Sequence, residues 1–181
     1  MLQITVPGRE DWDEIRNEFV STKETTLQLE HSLVSVSKWE SKWHIPFLTK
    51  QEKTLEQTID YVRCMTLTQH VDPNVYRNLT VDNLKEIYAY IDEEMTATTV
   101  SDGHQKTGRR QIVTSELIYY WMIAFNIPFE CQKWHLSRLI MLIRVCEAEN
   151  RQDKKKISKK DMYSNRAALN AARRKKFNSR G

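Results

Sequence analysis

Residues 29–47, LEHSLVSVSKWESKWHIPF, place Leu29, Leu33, Val36, Trp39 and Trp43 at steps of three and four. At 3.6 residues per turn that spacing sets both tryptophans on one stripe of an amphipathic helix. Pro46 stops the helix, because proline lacks an amide hydrogen and crowds the turn before it. The end of this stretch, KWHIPF at 42–47, returns with its halves reversed in IPFECQKWH at 127–135. The reversal excludes a simple duplicated segment. What the two share is a proline break beside an anchoring aromatic, so both read as corners that fasten helices to one core. In the second, Ile-Pro-Phe links two helices and Lys-Trp-His lies inside the next.

Outward from this helix the same periodicity recurs. Thr49 followed by Glu52 has the form of a capping box for a helix with Leu55, Ile59, Val62 and Met65 on its stripe. Asp72 before Pro73 predicts a short helix through DPNVYRNL, and Thr80 caps another with Val81, Leu84, Ile87, Tyr88 and Ile91 inward. Residues 115–126, SELIYYWMIAFN, are apolar almost all round, which at this length predicts a buried central helix rather than a membrane span. Another helix follows NIPFE, with Trp134, Leu139, Ile140, Ile143 and Cys146 inward.

Two places read as β structure. Leu2, Ile4 and Val6 alternate with polar neighbours, as do Leu27 and Leu29, which predicts an N-terminal strand pair. Between them Trp12, Ile15 and Phe19, at i, i+3 and i+7, predict a helix with acidic residues at its start. TATTV and RQIVT flank a loop containing Gly103 and Gly108, predicting a hairpin near 96–113. The fold class is therefore mainly α, a compact helical domain with a small β element and a basic C-terminal tail.

A chain of 181 residues suffices for one domain and an appendage, and its low glycine and proline content suits an ordered helical body. It has no long apolar run and no secretory-type N-terminus, so a soluble protein is expected. Cys64, Cys131 and Cys146 are odd in number and lie in apolar contexts, as expected of buried thiols in a reducing cytoplasm. Charge divides the chain. Residues 151–181 hold 12 Lys and Arg against 2 acidic residues, and the remainder holds 16 against 22. We accordingly separate a helical body, 1–150, from a tail, 151–181, in which Ser158 and Asp161 are placed to cap a helix through MYSNRAALNAARRKKF.

Signals for catalysis or metal binding are weak. Cys131 and His135 stand at i and i+4, but two ligands are too few for a metal site, and neither C-x-x-C nor H-E-x-x-H occurs. His31 beside Ser32, or His70 near Asp72, lacks the strained, glycine-flanked nucleophile of a hydrolase. Four glycines build no phosphate cradle, and Glu93 and Glu94, being adjacent, point apart on a helix. No catalytic residue, metal or cofactor is expected. Trp39 and Trp43 are candidates for a partner surface, weighed against core packing, which is favoured; Lys38, Glu40 and Lys42 would then be the solvated edge of their helix. The other candidates for partner binding are Lys154, Lys155, Lys156, Lys159, Lys160, Arg173, Arg174, Lys175 and Lys176, a nucleic-acid arm or a docking arm for an acidic protein. Aromatic residues for base stacking in the tail are limited to Tyr163 and Phe177.

The runs HSLVSVSKWESKWHIPF, TIDYVRCMTLT and TSELIYYWMIAFNIPFECQKWHLSRLIMLIRVC, with the ending RAALNAARRKKFNSRG, resemble the tail assembly chaperones of long-tailed bacteriophages. The resemblance covers most of the chain. It implies a non-enzymatic protein of the host cell cytoplasm, absent from the mature virion, that keeps the tape measure protein soluble while major tail (tube) proteins polymerise around it. It also implies a frameshifted longer form or self-association, and no membrane. Two other readings remain: a small phage nucleic-acid-binding protein acting through its tail, and a structural tail or connector component.

Overall fold

The structure, a computed structural model, describes residues 1–13, 17–49, 51–99, 112–155 and 159–177. It is mainly α with small β elements, and falls into two compact units, Met1–Ile143 and Arg144–Gly181. The division lies inside a helix, seven residues before the boundary that charge suggests.

The first unit begins with β1 (Leu2–Val6), which pairs antiparallel with β4 (Thr25–Leu29), Ile4 opposite Leu27. Ile4, Val6, Leu27 and Leu29 form the buried face of this ribbon, while Gln3, Thr5, Thr26 and Gln28 face out, the period of two expected of a half-buried strand. The opposite edge of β4 is covered by the chain leaving the second helix. There Leu67 N–H donates to the Gln28 carbonyl (2.8 Å), and Gln28 N–H donates to Thr68 Oγ1 (2.9 Å).

Between these strands the expected helix is absent. β2 (Arg9–Asp13) and β3 (Glu18–Thr22) form a hairpin instead, with Trp12 directly opposite Phe19 and their rings edge-on at 4.9 Å. A seven-residue interval suits two turns of helix, but it also brings two residues face to face across a tight turn. Here Asn17 takes a left-handed conformation (φ 53°) before β3, and both rings stay exposed, so neither meets the core that the inner stripe of a helix would face. Gly8, at the entry to the hairpin, is sterically required: a Cβ there would lie 2.6 Å from the Thr22 carbonyl oxygen. Thr22 closes the base, its hydroxyl donating to the Arg9 carbonyl (3.0 Å) and accepting from Arg9 N–H (3.1 Å) and the Asn78 amide.

Helix α1 (Leu33–Trp43) is the hub, packing on α2 (Leu55–Met65), on α4 (Ser115–Ala124) and on the 3-10 turn Phe129–Lys133. Ser32 caps its start, and His44, left-handed at φ 54°, ends it two residues before Pro46. α2 is capped by Thr54 and Gln57 in a reciprocal box, not by Thr49 and Glu52; the Thr49 hydroxyl instead donates to the Pro46 carbonyl. The 3-10 turn Pro73–Asn78 carries its expected Asp72 cap. Thr80 caps α3 (Val81–Asp92), whose partner Asn83 also donates to the Thr5 carbonyl of β1 (3.2 Å). The inner face of α3 is Asn83, Ile87 and Tyr90. Val81 and Tyr88, expected inward, are exposed because they lie on the far side of the helix, roughly 130–150° from the centre of that stripe.

α4 is not the fully buried helix expected. Ser115, Ile118 and Met122 face the core, while Tyr120 and Ile123 are 63% and 61% exposed. α5 (Leu136–Lys155) starts after Trp134, so this tryptophan lies in the connection rather than in the helix, with the Arg138 guanidinium 4.3 Å from its ring centre. Leu136, Leu139 and Ile143 are buried; Ile140 and Cys146 are only half-buried. α6 (Lys159–Phe177) forms much of the second unit. Of the hairpin expected near 96–113, residues 100–111 lie outside the described residues, and the flanks 96–99 and 112–114 carry no strand. Among the described residues no helix is long and apolar enough to cross a membrane.

Candidate interaction surfaces

The KWHIPF corner is built around a carboxylate. Glu40 shares the helical stripe of Leu33 and Val36, and this carries it into the core rather than to the solvated edge expected of it. Its Oε1 accepts from Phe47 N–H (2.7 Å) and its Oε2 from Ser115 N–H (2.7 Å). One side chain thereby closes the turn after α1 and holds the N-terminus of α4, where free amides and the helix dipole favour an anion.

Trp39 is 0% exposed. Its ring meets Phe47 edge-on (5.2 Å) and Tyr61 (6.5 Å), and its indole N–H donates to the Gln57 carbonyl (2.9 Å). It is a core residue and presents nothing to a partner, which corrects its candidacy as a binding residue. Trp43 is half-buried, and its indole N–H donates to Asp60 Oδ2 (2.9 Å) while Lys42 donates to Oδ1. Burial raises the Asp60 pKa, but these two hydrogen bonds and the charges of Lys42 and Arg63 outweigh it and hold the carboxyl below its ordinary range.

A second polar group lies where β4 and α1 meet α3 and α5. His31 Nδ1 is bonded to the Tyr61 hydroxyl, and the His31 and His135 rings stand edge-on at 5.1 Å. His135 Nε2 is 3.0 Å from the Tyr90 carbonyl and so donates to it, and Nδ1 is 2.8 Å from Ser137 Oγ. Tyr90 donates to Glu30 Oε1 (2.7 Å), and Glu30 Oε2 meets the amino group of Met1 (3.1 Å). Leu136 N–H donates to the His31 carbonyl (2.8 Å), so this group fastens the start of α5 to the start of α1. Burial, reinforced by the neighbouring His135, lowers the His31 pKa to about 3. Burial also lowers that of His135. Both rings are neutral at pH 7.

This arrangement organises structure and does not assemble the dyads considered from sequence. The Ser32 hydroxyl caps α1 and is not paired with His31, and Asp72 caps its turn while His70 is exposed. Cys131 and His135 do not share a helix, and both nitrogens of His135 are engaged. No group of three metal-ligating side chains occurs among the described residues.

Among the described residues, two of the surfaces that face solvent stand out for their binding chemistry. One is the outer side of α4, where Tyr120 and Ile123 stand one turn apart. Phe129 is 53% exposed in the following turn, which is tied to α4 by Ile127 N–H to the Met122 carbonyl (2.8 Å) and by Tyr119 Oη to Gln132 (2.9 Å). Sequence reasoning missed this surface because it assigned every apolar residue of α4 to the core. The other is α6, where Arg173, Arg174 and Lys176 are exposed. Lys154 and Lys155 lie in the last turn of α5, and Lys159, Lys160 and Lys175 in α6; Lys156 lies outside the described residues. The two tryptophans belong to the first unit and the basic residues to the second. No protein family, curated protein or solved structure matches the chain.

Proposed function

We propose that this chain is a non-enzymatic assembly factor of the phage tail assembly chaperone kind, taking up an apolar helix of the tape measure protein on the outer face of α4. The observation that supports it is the surplus of apolar surface on that helix. Its inner stripe alone joins the core, yet the outer side carries Tyr120 and Ile123, with Phe129 beyond. Large exposed apolar side chains grouped on one element mark a protein-binding surface, and a helix laid alongside would anchor at the same three- and four-residue steps. Tyrosine and phenylalanine there provide large contact area at low entropic cost. Glu40 and Thr114 hold the first turn of α4, so the surface is presented by a fixed element.

In this reading the chain acts in the cytoplasm of the infected cell and leaves before the virion matures. The test is co-expression with the tape measure protein. Its solubility rises and a complex co-purifies with the wild-type chain, and both are lost with Ile123→Asp and Tyr120→Asp. A tape measure protein equally insoluble with and without the chain refutes the proposal.

A further inference from the structure

We propose that α6 binds single-stranded nucleic acid, through a face formed by Tyr163, Arg166, Asn170, Arg173, Arg174 and Phe177. These positions are i, i+3, i+7, i+10, i+11 and i+14, which fall within a stripe about 100° wide on a helix. All six side chains are exposed. The stripe runs about 21 Å from Tyr163 to Phe177 at 1.5 Å per residue, with an aromatic ring at each end and three guanidinium groups between. The opposite side carries Ala168, Ala171 and Ala172, also exposed, with Lys175 in the same helical register. Residues 162–181 contain six Lys and Arg and no acidic residue, so nothing within that stretch neutralises the face. Lys176 lies 6.0 Å from the Phe177 ring centre, adding a cation beside one of the two rings.

The order of groups on this face selects the partner. A helix lying on anionic lipid needs a continuous apolar side facing away from its charges. Here the aromatic residues stand among the arginines, and the far side offers alanines. A helix entering an apolar protein groove needs large anchors three or four residues apart, whereas Tyr163 and Phe177 are separated by four turns. A polynucleotide matches both elements. Its phosphates meet guanidinium groups, its unpaired bases stack on Tyr163 and Phe177, and the Asn170 amide reaches a base edge. A duplex hides the base faces within its own stack, so the rings favour a single strand. This surface is independent of the outer face of α4, and either proposal stands if the other fails.

The test uses the full chain and a fluorescent oligothymidylate of about 20 nucleotides, followed by anisotropy across a series of salt concentrations. Affinity should fall steeply with salt. Replacing Arg166, Arg173 and Arg174 together by alanine should reduce the slope of log K against log salt by roughly 2, at about 0.7 per phosphate contact for single strands. Tyr163→Ala with Phe177→Ala should weaken binding roughly tenfold or more and leave the slope unchanged. Leu169→Ala should alter neither, and comparable binding of oligouridylate supports the proposal equally. No binding at low salt, unchanged affinity in the aromatic variant, or tighter binding to duplex DNA or to phosphatidylserine vesicles overturns it.

Discussion

Replacing Glu40 by alanine should release α4 from α1 and destabilise the body strongly. The carboxylate accepts from two buried amides, Phe47 N–H and Ser115 N–H, each at 2.7 Å. Removing it leaves both without an acceptor, at about 1–3 kcal/mol apiece, so a total near 4 kcal/mol is expected. That is a large part of the 5–15 kcal/mol that holds a typical domain together. In urea, with a slope of about 2 kcal/mol per molar, the unfolding midpoint should fall by about 2 M. Glu40→Gln should recover part of the loss, since its carbonyl oxygen still accepts one bond while its amide nitrogen opposes the other donor. Lys38→Ala, on the exposed side of the same helix, should change stability by less than about 0.5 kcal/mol. Hydrogen exchange should show the extra opening of Glu40→Ala first at Ser115 and its neighbours. A Glu40→Ala variant as stable as Lys38→Ala would refute the reasoning, because the clamp would then be contributing nothing.

Acid should weaken the body through His31. Its folded pKa of about 3 lies below the ordinary 6.5, so between those values the unfolded chain binds more protons and stability falls as pH falls. The contribution is intact above pH 6.5 and is reduced by about 2 kcal/mol at pH 5; urea midpoints measured from pH 7.5 to 5 should flatten in His31→Gln. Trp39→Ala should cost about 3–5 kcal/mol by emptying the core, whereas the half-buried Trp43 should cost clearly less on truncation; equal losses in calorimetry would contradict their placement. Gly8→Ala drives a methyl group into the Thr22 carbonyl and should cost about 1–3 kcal/mol, with loss of the Trp12–Phe19 contact visible in near-ultraviolet circular dichroism.

Periodicity was legible where a segment had one core to face. The α1 stripe of Leu33, Val36 and Trp39, the strand pair of Leu2–Val6 with Thr25–Leu29, and the caps at Asp72 and Thr80 follow from local rules that the tertiary structure does not oppose. In α2 only Val62 and Met65 of the expected stripe are buried; Leu55, in its first turn, is 65% exposed and Ile59 is half-buried, because Tyr61 and Thr58 take the inner face. The N-terminal hairpin was misread because Trp12 and Phe19 satisfy a helical interval and a cross-strand pairing equally well, and the deciding feature is a turn, not a stripe. α4 was misread for the opposite reason. Uniform apolarity says that surface will be hidden, but it does not say whether the chain's own core or another molecule hides it. Glu40 carried a usable signal, since it stands four residues after Val36 and seven after Leu33, on the buried stripe. Its charge concealed that, because its two partners are backbone amides that sequence does not mark. His31 and His135 are 104 residues apart, and their meeting depends on the bridge between the starts of α1 and α5.

The proposed seating of a tape measure helix on the outer face of α4 is decided by co-purification on co-expression. A soluble complex should form with the wild-type chain and be lost with Ile123→Asp, while circular dichroism and the urea midpoint of that variant stay close to wild type because the residue is exposed. A complex that survives Ile123→Asp and Tyr120→Asp together, or the absence of any complex with the wild-type chain, would contradict it.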